Sequence, residues 1–224
     1  MHINRLLPAS LLVALLMFPA PARTQESGSG CAVDAKIGTL GIGADLSCSL
    51  VPRLLNIRAG AGFFSYSADF AKEGIDYSGK LRLGAVPIAL DVFPFKNWFR
   101  LGGGLIVNLN EVTATAAADQ GLLEIGDRSY NLQDVGELRG KARFNRAAPY
   151  FGIGFNNPVK RSGHWGFFVD LGGMYHGRPS IALSTTRTLP LLQQDLDKEV
   201  QKLNDDAKDF RFFPIVQLGV SYRF

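Results

Sequence analysis

The property that most constrains this chain is a strict two-residue alternation of side chains, repeated along segment after segment. At the C-terminal end Phe212, Pro214, Val216, Leu218, Val220, Tyr222 and Phe224 occupy one parity, and Phe213, Ile215, Gln217, Gly219, Ser221 and Arg223 the other. Successive side chains of a strand point to opposite faces, so such a segment has one apolar face and one small or polar face. Leu40, Ile42, Ala44, Leu46, Cys48 and Leu50 repeat the plan against Thr39, Gly41, Gly43, Asp45, Ser47 and Ser49. Phe99, Leu101, Leu105, Val107 and Leu109 do so against Arg100, Gly102, Gly104, Asn108 and Asn110.

The chemistry of the second face separates two all-β architectures. A soluble sandwich wets that face and fills it with Lys, Glu and Thr. Here it is mostly Gly, with Ser, Asn and a few Arg and Asp, which suits a tightly curved wall around a crowded interior. The apolar face stays nearly free of charge for about ten residues per strand, the length that crosses a bilayer at a tilt. A closed antiparallel transmembrane β-barrel satisfies both, and closure leaves no unpaired edge in lipid.

Seven strands are expected, at 35–50, 54–70, 80–95, 99–116, 141–157, 163–185 and 211–224. Bacterial barrels have an even number. A break at Gly177-Arg178-Pro179 would supply an eighth strand from Ser180; eight is the expected number and ten the alternative. A phase slip between Leu83 and Val86 marks a bulge near Gly84 to Pro87. Aromatic clusters at Phe93, Phe95, Trp98 and Phe99, at Phe63, Phe64, Tyr66 and Phe70, and at Tyr222 and Phe224 fit interfacial girdles.

One segment departs from the alternation. Over residues 189–209 the apolar positions Leu192, Leu196, Val200, Leu203 and Ala207 recur at helical spacing, with Thr188 as a cap and Pro190 in the first turn. Its remaining faces carry more Asp and Glu than Lys, so an anionic membrane surface would repel it. It is expected to cover one barrel mouth.

Residues 1–22 read as a cleavable secretory signal: Arg5, an apolar run from Leu6 to Phe18, and Ala20-Pro21-Ala22 as the cleavage site. Residues 23–34 are expected to be a flexible N-terminal segment and 35–224 the barrel, helix included. The formal charge of +4 is mild and forms no basic stripe, so nucleic acid is not an expected partner. If 35–50 is one strand, Cys31 and Cys48 lie too far apart to bridge, and two free thiols are expected.

The chain resembles the small outer-membrane barrel proteins of Gram-negative bacteria, the OmpA-like and OmpW-like group in the broad sense. The resemblance rests on Ile37-Gly38-Thr39-Leu40-Gly41-Ile42-Gly43 and on the ending Leu218-Gly219-Val220-Ser221-Tyr222-Arg223-Phe224. It covers 35–224 apart from the helix. It implies residence in outer-membrane lipid, and recognition of Leu218, Val220, Tyr222 and Phe224 as the signal for the barrel-assembly machinery.

Asp45, Arg58, Asp91, Arg100, Asn108, Asp170, Gln217 and Arg223 fall on the inward parity, and are expected to form a polar network in the lumen. An eight-stranded lumen is only wide enough for side chains to fill. The expected function is a structural scaffold or a narrow passive pore. The alternative is ligand binding or adhesion through loops 71–79 and 117–141. A lipid-modifying enzyme is disfavoured, because His176, Ser180 and Asp170 are not at offsets that set a nucleophile beside its base on one face. Two His and two distant Cys offer no metal site, and no cofactor motif is present, since Gly38 to Gly43 is followed by no helix.

Overall fold

The computed structural model describes residues 30–72, 75–96, 98–117, 122–125, 128–131, 135–157, 159, 164–187 and 190–224. The expected signal peptide, residues 1–22, and the proposed cap Thr188 lie outside these.

The strands are β1 (Cys31–Gly38), β2 (Gly41–Val51), β3 (Leu55–Lys72), β4 (Ile75–Val92), β5 (Phe99–Asn108), β6 (Glu111–Ala117), β7 (Leu122–Ile125), β8 (Arg128–Asn131), β9 (Leu138–Arg143), β10 (Ala147–Phe155), β11 (Trp165–Tyr175), β12 (Ser180–Thr185) and β13 (Phe212–Arg223). Helix α1 (Pro190–Asp206) extends by a 3-10 turn at Ala207–Asp209. Eight strands close a ring, in the order β4-β3-β2-β1-β13-β11-β10-β5 and back to β4. Every pairing is antiparallel. The alternation therefore leads where expected, to an outer-membrane-type barrel.

Chain ends and the β2–β3, β4–β5 and β10–β11 turns share one rim. At the other rim part of the wall continues past the ring. β6, β9 and β12 prolong β5, β10 and β11, so that β3, β4, β6, β9 and β12 form an extension. The break at 176–179 and a strand from Ser180 are present, but that strand, β12, belongs to the extension and not to the ring; the eighth strand of the ring comes instead from 35–50, which contributes to two strands, β1 and β2. The segment 71–79, expected as a loop, is instead mostly hairpin: Ala71 pairs with Asp76 and Lys72 with Ile75. The 117–141 segment contains the β7–β8 hairpin and the start of β9. The helix docks on the extension, at the end of the barrel away from the chain ends. Leu192 and Leu196 pack with Ile125 and Val135, against Tyr130, Leu138 and Leu183, and Asn204 bonds the Ile181 backbone at 3.0 and 3.1 Å.

Two expectations fail together at the first strand. Residues 35–50 are a hairpin, not one strand, and pairing begins at Cys31 inside the segment expected to be flexible. Gly41, at φ +90, takes a backbone conformation that a side chain would strain. Thr39 pins the turn to β13 by accepting from Val216 N at 3.1 Å and donating to the Pro214 carbonyl at 2.9 Å. The reversal puts Cys31 opposite Cys48, where they form a disulfide with Cα atoms 4.1 Å apart. Ser49 N bonds Gly30 O at 2.9 Å, so the cysteines fill the neighbouring non-hydrogen-bonded position, where strands approach most closely. The two free thiols are thus corrected to one bridge.

The outward face is apolar around the ring, from Val33 and Ile37 through Ile88, Leu105 and Phe167 to Leu218, each between 46% and 77% exposed. On β11, Trp165 packs on Tyr222 at one rim, and Tyr175 on Phe212 at the other. Ten residue steps at about 3.3 Å and a tilt near 40° set these girdles about 25 Å apart, the height of a barrel's apolar band. Phe64, Tyr66 and Phe70 are not girdle residues. They share the inward parity of Arg58, and sit beyond the rim on the inner face of the extension.

Candidate functional site

The lumen is where the inward residues of all eight strands converge. Arg58 on β3 stands at its centre. It donates Nε to Asp91 Oδ2 at 3.0 Å and Nη2 to Asp91 Oδ1 at 3.2 Å, a bidentate pair across adjacent strands. Its Nη1 reaches Asp170 Oδ2 at 3.0 Å and Asp45 Oδ2 at 3.6 Å. Arg100 Nη2 holds the other oxygen of Asp170 at 2.6 Å, and its guanidinium lies 5.5 Å from the Phe168 ring centroid. Lys36 donates to both oxygens of Asp45, at 2.6 and 2.8 Å. Three cations, Lys36, Arg58 and Arg100, thus oppose Asp45, Asp91 and Asp170, and each is at most 4% exposed. Beside them Ser47 donates to Asp34 at 2.6 Å.

Glycine makes this arrangement possible in so narrow a ring. A Cβ at Gly60 would collide with Asp45, and one at Gly154 with both Arg100 and Asp170.

Toward the mouth that bears the extension the interior becomes apolar. Leu40, Ala85, Ala89, Ile106, Ala148, Tyr150, Met174 and Ile215 form one buried cluster, with Phe213 against it. Leu40, assigned to the outer face by its parity, is 2% exposed because the turn tucks it inside. Toward the chain-end rim Asn56 donates to Asn157 at 3.2 Å, and Phe93 is fully buried. Charged and apolar layers therefore lie one above the other across the lumen.

Five of the expected lumen residues, Asp45, Arg58, Asp91, Arg100 and Asp170, meet in the charged layer. Three do not. Asn108 donates to Asn145 O at 3.2 Å and accepts from Asn110 N at 3.1 Å, where β5 passes into β6. Gln217 is buried, but outside the ion pairs. Arg223 is half-buried at the chain-end rim. Sequence reasoning missed Lys36 and Asp34, and left Ser47 and Tyr150, which have the inward parity, out of the network. Within 35–50 read as one strand, Lys36 has the outward parity; the turn at Thr39-Leu40 inverts it. The signal was present in the apolar phase, odd at Val33, Ala35 and Ile37 and even from Ile42 onward.

His176, Ser180 and Asp170 are not brought together. His176 is buried with its ring 4.6 Å from Phe144, Ser180 is exposed, and Asp170 is engaged by two arginines. His164 at the rim stacks on Tyr222 and lies 3.1 Å from Arg223 O. Among the described residues no group of three His, Cys, Asp or Glu is placed to hold a metal ion. On β13, Leu218 and Tyr222 are exposed on the outer face and Val220 is partly covered; Phe224, just past the strand, is exposed.

No protein-family model matches the sequence, and no curated protein matches it. Among solved structures the chain is similar to Acinetobacter baumannii CarO2, at 22% identity over 87% of this chain and 98% of that one, with a TM-score of 0.56. Acinetobacter baumannii CarO aligns at 20% identity over 86% and 97%, with a TM-score of 0.55. A major outer membrane protein from Thermus thermophilus aligns at 15% identity over 88% and 99%, at a TM-score of 0.48, too distant to argue from. The first two likenesses establish the fold and nothing finer.

Proposed function

We propose that this protein is an outer-membrane scaffold whose barrel is closed to solute, and which carries a helix-covered extension at one mouth. The observation that supports it is the stacking of two filled layers in one lumen. A solute would have to part the Arg58–Asp91 and Arg100–Asp170 pairs and then cross a plug built around Ile106, Met174 and Ile215. Breaking buried charge pairs is costly, and the close-packed apolar layer offers no polar path.

Export by the segment 1–22 and insertion by the barrel-assembly machinery belong to this reading. Leu218, Val220, Tyr222 and Phe224 would serve as the assembly signal. No catalytic step and no cofactor enter it.

The test is conductance of the purified, heat-modifiable protein in planar bilayers. A silent barrel is expected; reproducible discrete channel steps would overturn the scaffold in favour of a narrow passive pore.

A further inference from the structure

The lipid-facing parity of β4 changes character at Gly84. Val86, Ile88, Leu90 and Val92 lie on one side of it, Arg82 and Lys80 on the other, all on the outer face. The neighbouring strands change with it. Across the ladder Arg82, Glu111 and Arg143 stand in one row, and Lys80, Thr113 and Lys141 in the next. On β3, Ser65 and Ser67 complete the two rows beside Arg82 and Lys80. This patch sits on the extension directly above the apolar band.

Its charge is strongly one-sided. Glu111 is the one carboxylate in the two rows, held by Lys141 at 2.8 Å and Arg143 at 3.4 Å. Lys80 and Arg82 are exposed and have no ion-pair partner among the described residues. The next row outward is balanced, with Asp69 and Arg139 at its two ends and Ser78 and Thr115 between them, and the row after it carries Asp76. Positive charge is therefore concentrated where headgroups of the bilayer would lie, and falls off toward water.

We infer that Lys80, Arg82, Lys141 and Arg143 form a binding site for the phosphate-bearing headgroup of a membrane lipid. Lys80 and Lys141 are two strands apart, about 10 Å, so their long side chains and the flanking arginines can converge on one phosphate. Thr113 supplies a hydroxyl between them, and Ser65 and Ser67 flank Arg82 and Lys80 on the other side. The acyl chains of the same lipid would descend along Val86, Ile88, Leu105 and Val107, which a soluble anion could not use. That continuity selects a lipid over free phosphate as the occupant.

Native mass spectrometry of the full detergent-purified chain tests this, with phosphatidic acid against phosphatidylcholine of matched chains. Phosphatidic acid is expected to be retained preferentially. The fourfold variant Lys80→Gln, Arg82→Gln, Lys141→Gln, Arg143→Gln is expected to bind it at least tenfold more weakly, since one basic residue at an anionic surface contributes roughly a fivefold factor. A variant changing Lys198, Lys202 and Lys208 to Gln should bind as the parent does. If the fourfold variant gives no heat-modifiable band, Lys80→Gln with Arg82→Gln replaces it, with a several-fold loss expected. Undiminished binding by the variants, equal retention of both lipids, or displacement of the lipid by an equal concentration of inorganic phosphate would each overturn the site.

Discussion

Arg58 touches Asp45, Asp91 and Asp170, so its removal strands more charge than it takes away. Buried pairs add little net stability relative to apolar replacements of the same volume, yet losing one partner leaves an uncompensated charge. Arg58→Ala is therefore expected to cost about 3–5 kcal/mol, read as a lower urea midpoint for the barrel in lipid vesicles. Arg58→Met combined with Asp91→Leu should recover part of that loss by removing donor and acceptor together. A midpoint unmoved by Arg58→Ala would show that water enters the layer and screens its carboxylates. This residue was legible in advance, because the parity of a long strand such as β3 persists without interruption. Lys36 was not, because parity survives only as far as the next turn, and the two-residue turn at Thr39-Leu40 contains no proline or asparagine to announce it.

Helix α1 is an element whose existence the four-and-three spacing revealed, and whose docking it did not. The stripe of Leu192 and Leu196 says only that something apolar must cover it. That partner is assembled from Ile125, Tyr130, Val135 and Leu138, in a segment legible mostly as a long loop, together with Leu183 of β12. Besides the Asn204–Ile181 bonds, a polar contact nearer the start of the helix fixes the docking. Tyr130 donates its hydroxyl to Asp195 at 2.6 Å, with Arg128 at 3.5 Å and Lys198 at 3.6 Å from the same carboxylate. The Tyr130 hydrogen bond, with help from these cations, holds the Asp195 carboxyl below its ordinary value of 3.8, and burial opposes it. A depressed folded-state value stabilises the docked helix above the ordinary carboxylate range, and that contribution is lost as pH falls through the lower value. Hydrogen exchange in α1, corrected for intrinsic rates, should thus show full protection at pH 6 and reduced protection near pH 3. Asp195→Asn should flatten the difference. Equal protection of the wild-type helix at both pH values would mean that the apolar contacts alone hold it.

The whole molecule depends on closing a ring whose seam is β1 against β13, the first strand and the last. Closure was legible because lipid tolerates no free strand edge and the terminal segment alternates up to Phe224. What the sequence hid was how the first strand is secured, since the distance argument against a disulfide assumed an uninterrupted 35–50. The Cys31–Cys48 bridge, over a separation of 17 residues, ties the start of β1 to β2 on the outer face at the chain-end rim. Both ladders of β1 remain without it, through Ala32↔Arg223 on one side and Ala32↔Ser47 on the other, so the ring does not need the bridge to form. Its main contribution is to the unfolded chain, whose freedom it restricts. For a loop of this length that amounts to about 3 kcal/mol. Cys31→Ser with Cys48→Ser, or reduction of the unfolded parent, should therefore leave a heat-modifiable barrel with a lower urea midpoint, by an amount matching that figure. A variant that never gives the heat-modifiable band would show instead that the seam cannot close until the bridge has formed, and the disulfide would then be a step in assembly, not a restraint on the unfolded chain.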